Sequence, residues 1–206
     1  MTASFGFSWL NQRNRHMNKT SRDSYGQMVV DFKWEKTPLE SEGTCTYQDE
    51  AGYSGFFKAG CFHGSGTFTW PDGSHYEGQW AKGLPHELGT IHLPDGYKYS
   101  GEWQSGVAEG EGAEILPDGG RYTGQWKNGI KNGHGEMIFA EGKKYVGEWK
   151  DGMQHGKGVL FFTDASRYEG EWKENKIFGQ GVLIFWDGKM YKGEWEGDKF
   201  NGHFGV

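Results

Sequence analysis

A five-residue motif, Tyr-x-Gly-x-Trp, recurs every 23 residues through most of this chain. It begins in altered form as Tyr53-Ser-Gly-Phe-Phe57 and is then complete six times, starting at Tyr76, Tyr99, Tyr122, Tyr145, Tyr168 and Tyr191. No insertion or deletion interrupts the spacing between these motifs. A fixed period of this length is typical of a repeat protein, in which each repeat is one small unit that packs against its neighbours.

The pattern within one repeat predicts a β-hairpin. If the Tyr is position 0, the residues at positions 0, 2 and 4 alternate with polar residues, as in a half-buried strand. A turn such as Lys127-Asn128-Gly129 follows, then glycines at positions 11 and 13 and apolar residues at 15 and 17. Asp-Gly pairs such as Asp118-Gly119 predict the next turn. The sequence therefore predicts an all-β fold, an elongated, twisted, single-layer antiparallel meander of stacked hairpins.

The glycines suggest a register for each hairpin. If paired positions sum to 17, Trp126 lies opposite Gly135 and the indole rests flat on glycine backbone. Because no helical period indicates a second layer, we expect the row of aromatic rings to be partly exposed. Exposed aromatic surface is typical of an interaction site.

The repeat also sets boundaries. The predicted parts are an irregular N-terminal tail (residues 1–29), a degenerate capping repeat (30–52), six complete repeats (53–190) and an incomplete C-terminal repeat (191–206). Phe5, Phe7 and Trp9 alternate along the tail as on one face of a strand. Two interpretations stay open for this tail: it is mostly disordered, or these three residues anchor it to a partner or to the sheet.

Charge and composition narrow the class of function. The net charge is −6, and the first 29 residues carry +3, which leaves −9 for the rest of the chain. The repeats are therefore acidic, and binding of nucleic acid is disfavoured. The two cysteines, Cys45 and Cys61, are too few for a disulfide framework and favour a reducing compartment. No secretory signal or 18-residue apolar stretch occurs, which predicts a soluble cytoplasmic protein.

Candidate catalytic motifs have simpler explanations in the repeat. Gly110-Glu-Gly112 resembles part of a phosphate loop but lies between predicted strands. His63, His86 and His155 share position 10, yet equivalent positions in adjacent repeats are about 9–10 Å apart, too far to share a zinc ion. We therefore expect no enzymatic activity, no metal and no cofactor.

The combination of Tyr-x-Gly-x-Trp, the Gly-x-Gly pair and Asp-Gly at a 23-residue period resembles the MORN-repeat family (membrane occupation and recognition nexus), over about three quarters of the chain. The resemblance implies a single-sheet array with an aromatic-lined groove that binds partner segments, often helical, in scaffolds of axonemes, radial spokes and other cytoskeletal assemblies. The predicted groove residues are Tyr76, Trp80, Tyr99, Trp103, Tyr122, Trp126, Tyr145, Trp149, Tyr168, Trp172, Tyr191 and Trp195. The chain departs from the family pattern at Pro85, Glu87, Glu114, Ala165 and Phe204.

These observations favour a non-enzymatic scaffold that binds a basic, amphipathic partner helix, in a cilium or another part of the cytoskeleton. One alternative is a peripheral membrane adaptor that binds phospholipid, which the acidic repeats disfavour. Another is an accessory subunit of an enzyme complex. Exposed edge strands, especially in the incomplete last repeat, suggest a homodimer formed end to end.

Overall fold

The sheet is continuous in chain order. The computed structural model describes residues 40–47 and 49–201, in which fifteen antiparallel strands form one open sheet and no helix occurs. The strands are β1 (Glu40–Thr46), β2 (Gly52–Lys58), β3 (Cys61–Thr69), β4 (His75–Ala81), β5 (Leu84–His92), β6 (Lys98–Gln104), β7 (Val107–Ile115), β8 (Arg121–Lys127), β9 (Ile130–Ile138), β10 (Lys144–Lys150), β11 (Met153–Phe161), β12 (Arg167–Lys173), β13 (Lys176–Ile184), β14 (Met190–Glu196) and β15 (Lys199–Asn201). The predicted single-layer meander of hairpins is confirmed.

The described chain divides into two compact units, which we call the N-terminal unit (residues 40–110) and the C-terminal unit (residues 111–201). Within the N-terminal unit, β1 pairs with β2 as the second strand of a preceding hairpin would. The tail, with Phe5, Phe7 and Trp9, lies outside the described residues, so its predicted anchoring role stays a prediction. No helix in the described part of the chain is long and apolar enough to cross a membrane.

Both predicted turns form as their residues require. Asn128 and Gly129 have φ angles of 52° and 75°, the left-handed conformations of a two-residue hairpin turn. In the other turn, the backbone N–H of Gly119 donates to the carbonyl of Leu116 (2.9 Å), and the Asp118 carboxylate accepts the N–H of Gly120 (2.8 Å). The turn residues therefore connect successive strands at the positions that the sequence predicted.

The predicted register is wrong. Gly124, not Trp126, lies opposite Gly135, and Trp126 lies opposite Lys131 because the register shifts between Gly124 and Trp126. The same shift occurs between Gly147 and Glu148 in the next hairpin. A β-bulge therefore interrupts each of these hairpins, which a constant sum of positions could not anticipate.

The tyrosine, rather than the tryptophan, explains the paired glycines. A Cβ at Gly135 would collide with the Tyr122 ring, and a Cβ at Gly158 would collide with the Tyr145 ring. The Tyr ring therefore lies over the glycine pair, and the expectation of an indole flat on glycine is also wrong. Only glycine leaves room for a ring this close to the backbone.

A polar side chain at position 3 holds the bulge. The Gln125 Oε1 atom accepts the backbone N–H of His134, and a Glu148 carboxylate oxygen accepts that of Lys157, both at 2.9 Å. This contact gives the polar residues at position 3 a structural role beyond solvation.

Candidate partner-binding surfaces

One face of the sheet, which we call the aromatic face, carries the side chains at positions 0 and 4. Trp149 packs edge-on against Tyr145 of its own repeat, with ring centroids 5.3 Å apart, and against Tyr122 of the preceding repeat, at 5.2 Å. The N-terminal unit repeats this arrangement, with Trp103 against Tyr99 (5.1 Å) and Tyr76 (5.4 Å). Edge-to-face contacts of this kind are the favoured geometry for aromatic pairs.

Hydrogen bonds fix these rings in place. The Trp149 Nε1–H donates to the carbonyl of Gly135 (3.3 Å), and the Tyr145 hydroxyl donates to the carbonyl of Glu148 (2.9 Å). Burial raises the pKa of the Tyr145 hydroxyl well above its ordinary value. Each ring therefore has both apolar contacts and a backbone acceptor, as buried Tyr and Trp side chains require.

The rings are more buried than we expected. Tyr122, Tyr145 and Tyr168 are 0% exposed, and the tryptophans of the row are at most 7% exposed. Among the twelve predicted groove residues, Tyr191 alone is half-buried, and the others are buried. The expectation of a partly exposed row is wrong, because successive rings cover one another without a second layer. Whether the twelve residues form a partner-binding groove stays a prediction.

A charged pair interrupts the apolar contacts of the aromatic face. The Lys131 ammonium lies 2.6 Å from a carboxylate oxygen of Glu114, and the two side chains are 16% and 9% exposed. The ammonium also lies 5.0 Å from the centroid of the Tyr122 ring and 5.8 Å from that of Trp149, within the range of cation–π attraction. Glu114 stands where the repeat pattern has an apolar residue, and Lys131 and the surrounding rings thus stabilise its carboxylate in this position.

The other side of the C-terminal unit, which we call the opposite face, has three rows of side chains that cross the strands. The outer row is Arg121, Ile138, Lys144, Phe161, Arg167, Ile184 and Met190. The middle row is Thr123, Glu136, Val146, Val159, Glu169, Val182 and Lys192. The inner row is Gln125, His134, Glu148, Lys157, Glu171, Gln180 and Glu194.

Large apolar side chains are exposed on this opposite face. Ile138 is 40% exposed, Val146 38%, Phe161 37% and Met190 53%. A shallow trough of about 560 Å³ runs between the middle and inner rows, with Gly158 as part of its floor. Sequence reasoning missed this surface because it treated the alternate strand positions as uniformly polar. The signal was present, since position 16 is apolar in the later repeats, position 14 holds Val159 and Val182, and position 1 holds a valine once, at Val146.

The equivalent row of the N-terminal unit is rich in hydroxyl groups. Its middle row is Thr44, Ser54, Thr67, Glu77, Thr90 and Ser100. The Thr90 and Ser100 hydroxyl oxygens lie 2.9 Å apart, within hydrogen-bonding distance. The two units therefore present chemically different surfaces on the same side of their repeats.

The histidines and cysteines that were considered as candidate site residues do not come together in the described residues. In residues 40–47 and 49–201, no three His, Cys, Asp or Glu side chains come together in a group that could hold a metal ion. Cys45 is buried and Cys61 half-buried, and both are free thiols. Burial raises the pKa of the Cys45 thiol, which disfavours a nucleophilic thiolate.

Comparison with known families identifies the repeat. A family model described as "MORN repeat" matches seven consecutive segments, residues 53–75, 76–96, 99–121, 122–144, 145–167, 168–190 and 191–203. These segments coincide with the 23-residue period. No curated protein sequence matches the chain.

Several solved structures are similar at low sequence identity. The TCP domain of SAS-4 (dCPAP) from Drosophila melanogaster, solved with a proline-rich motif of Ana2, is 10% identical, with a TM-score of 0.46, over 86% of this chain and 97% of that chain. The TCP10 domain of CPAP from Danio rerio is 14% identical, with a TM-score of 0.33, over 80% of this chain and 84% of that chain. Virginiamycin B lyase from Staphylococcus aureus is 12% identical, with a TM-score of 0.21, over 76% of this chain and 56% of that chain.

Proposed function

The chain belongs to the MORN-repeat family, and from this premise we propose that it is a non-enzymatic scaffold whose repeats bind segments of partner proteins. The observation that carries the proposal is the open sheet itself. Each repeat adds the same pair of strands, so a partner segment that crosses the strands meets an equivalent set of contacts about every 9.6 Å. Such a surface suits recognition of an elongated segment.

We assign the aromatic face as the surface for a partner helix. Because the Tyr and Trp rings are nearly covered, a helix would contact their remaining edges and the apolar residues at position 17, which border the row. Phe139, Phe162 and Phe185 occupy this position in the C-terminal unit and are half-buried, and Phe185 packs against Tyr191 with centroids 5.2 Å apart. The acidic repeats favour a basic, amphipathic helix.

A cytoskeletal assembly, such as a cilium or an axoneme, is the proposed setting, because the family resemblance includes scaffolds of this kind. The alternative settings are a membrane surface and an enzyme complex. Fractionation of cells that express the tagged full chain separates these settings. Recovery with the detergent-insoluble cytoskeleton supports the proposal, whereas recovery with membranes that detergent dissolves contradicts it.

Adjacent residues on opposite faces give a matched test of the binding surface. Proteins captured by the full chain, other than copies of the chain itself, should be lost with Phe139→Gln/Phe162→Gln, which alters the border of the aromatic face. They should be retained with Ile138→Gln/Phe161→Gln, which alters the neighbouring residues on the opposite face. Circular dichroism and thermal unfolding must show that both variants stay folded.

Each outcome of this capture decides a different point. Loss with the second pair alone would move the binding surface to the opposite face and refute the aromatic groove. If no captured protein depends on either pair, the scaffold proposal itself fails.

A further inference from the structure

We propose that the opposite face of the C-terminal unit is a dimerisation surface, on which two copies of this chain pack face to face as a β-sandwich. The inference goes beyond the scaffold function, since this surface lies on the other side of the sheet from the aromatic face. It is also distinct from edge-to-edge pairing through terminal strands. Its basis is the separation of charge across the three rows of side chains.

The outer and inner rows of the opposite face carry opposite charge. The outer row contains three cations, Arg121, Lys144 and Arg167, and no carboxylate. The inner row contains three carboxylates and one lysine, Lys157. Between them, the middle row places three valines near the centre of the surface, together with Glu136, Glu169 and Lys192. Because the outer row is cationic and the inner row is anionic, the surface is complementary to a second copy in which the two rows have exchanged places.

One symmetry operation brings the outer row of each copy onto the inner row of the other. A two-fold axis along the middle row lays the outer row of one copy over the inner row of the other. On β10, the axis passes Val146, so Lys144 of one copy faces Glu148 of the second copy. On β12, it passes Glu169, so Arg167 faces Glu171 of the second copy. Both pairs occur twice, which gives four ion pairs on either side of the middle row.

The apolar side chains supply the rest of the interface. Val146, Val159 and Val182 lie along the axis, and Ile138 and Phe161 lie beside it, with exposures of 40% and 37% for the latter two. Phe161 faces Lys157 of the second copy, a further cation–π pair. Two sheets that pack face to face bury such side chains in a core about 10 Å thick.

The size of the surface indicates a moderate affinity. Seven strands at about 4.8 Å spacing and three rows of side chains cover roughly 29 by 20 Å, or about 600 Å² of flat area per copy. Stable interfaces bury about 800 Å² of accessible surface per partner. Side chains that project from the sheet make the accessible surface larger than the flat area, so this surface comes near that value. We therefore expect a reversible dimer with a dissociation constant on the order of 1–100 µM.

Three like-charge contacts limit the affinity, because the axis along the middle row brings Glu136, Glu169 and Lys192 each close to its own copy. Each Glu136 carboxylate lies 3.4 Å from the Lys144 ammonium of its own chain. The two Glu169 carboxylates approach each other near the axis, but each lies 2.5 Å from the Nε atom of its own Arg167. The guanidinium can keep this contact and reach Glu171 of the second copy, because Arg has donors for two carboxylates. A crossing angle of about −30° between the sheets also separates the two carboxylates.

The mass of the full chain in solution tests the proposal. Sedimentation velocity from about 1 to about 300 µM, which brackets the expected affinity, should show a shift from the 23.3 kDa monomer to a dimer. Val159→Lys replaces two apolar side chains at the axis by ammonium groups that would have to lose their solvent, and should weaken the dimer at least about tenfold. Because Val159 lies opposite Glu169 within the sheet, the new lysine has a carboxylate beside it and the fold should persist.

The N-terminal unit supplies a matched control. Thr67 occupies the same repeat position as Val159 and lies opposite Glu77, so Thr67→Lys makes the same change outside the surface. This variant should dimerise as the wild type does. A monomer at all concentrations overturns the proposal, as does a dimer that Val159→Lys leaves unchanged.

A cross-linking variant keeps the proposal testable if Val159→Lys fails to fold. Val159→Cys places two thiols near the axis on sheets about 10 Å apart, so a thiol-specific bifunctional cross-linker of about that length should give a covalent dimer, whereas with Thr67→Cys it should not. Equal cross-linking of the two variants would contradict the assigned surface.

Discussion

The Lys131 ammonium lies 2.6 Å from a carboxylate oxygen of Glu114 on the aromatic face, where equivalent positions of later repeats hold Leu160 and Ile177. An ion pair therefore occupies two positions that can hold apolar side chains in later repeats. Buried pairs of this kind are often no more stable than an apolar pair of the same shape, but they are sensitive to the loss of one partner.

Removal of the lysine alone should destabilise the fold. In Lys131→Gln, the Glu114 carboxylate stays buried without its cation, so we expect the free energy of unfolding to fall by about 3 kcal/mol. Glutamine itself fits this repeat position, since Gln154 occupies it in the next repeat and is buried. Urea denaturation, monitored by tryptophan fluorescence, measures the change.

The double variant Glu114→Leu/Lys131→Ile is the control, because it installs the residue types that Leu160 and Ile177 place at the equivalent repeat positions. Its stability should lie within about 1 kcal/mol of the wild type or exceed it. If Lys131→Gln were as stable as the double variant, the Glu114 carboxylate would have to be solvated in the folded protein.

The hairpins and their turns were predictable from the sequence because the signals are local. Asn128-Gly129 and Asp118-Gly119 are turn pairs whose backbone preferences need no knowledge of the tertiary structure. Seven repetitions in one register then gave a single-layer meander without further assumptions.

The register and the burial of the rings depend on contacts between repeats, which local signals do not contain. The glycine pair formed by Gly124 and Gly135 makes room for Tyr122, and the bulge that follows moves Trp126 away from Gly135. The opposite face was missed for a related reason. The residue types at the positions of Val159 and Phe161 differ from repeat to repeat. A prediction made only from the residues that the repeats share therefore does not include them.

Replacement of Glu87 by glycine should stabilise the N-terminal unit. Glu87 has a φ angle of 54°, at a position where Gly110 and Gly156 have 75° and 57°. This left-handed conformation is costly for a residue with a Cβ, so Glu87→Gly should raise the free energy of unfolding by about 0.5–1 kcal/mol. Thermal unfolding followed by circular dichroism measures the difference.

Two variants control for other causes of this gain. Glu87→Ala removes the carboxylate but keeps the Cβ, so it should give little or none of the gain. Gly156→Ala should destabilise, because its Cβ would press on the Glu148 carboxylate. A gain from Glu87→Ala equal to that from Glu87→Gly would assign the effect to charge rather than to backbone strain.

The hydrogen bond from the Lys157 backbone to Glu148 should stabilise the bulge of its hairpin. Glu148→Leu removes the acceptor at 2.9 Å and should lower stability by about 1 kcal/mol, with faster hydrogen exchange at the Lys157 amide. Glu148→Gln should keep the bond, as Gln125 does with His134. Unchanged exchange at Lys157 in the leucine variant would show that the carboxylate does not hold the bulge.

Alkaline pH should unfold the protein through its buried tyrosines. Burial raises the pKa of Tyr168 to about 12, whereas the hydroxyl of an unfolded chain titrates near pH 10. Because the folded-state pKa is the higher one, the stabilising contribution of the neutral hydroxyl is complete below about pH 10 and is lost as the pH rises towards 12. The ultraviolet absorbance of tyrosinate should therefore appear at higher pH in the native protein than in concentrated urea. Tyr168→Phe should remove one group from the late part of the native titration, and coincident native and urea curves would contradict the burial of these hydroxyl groups.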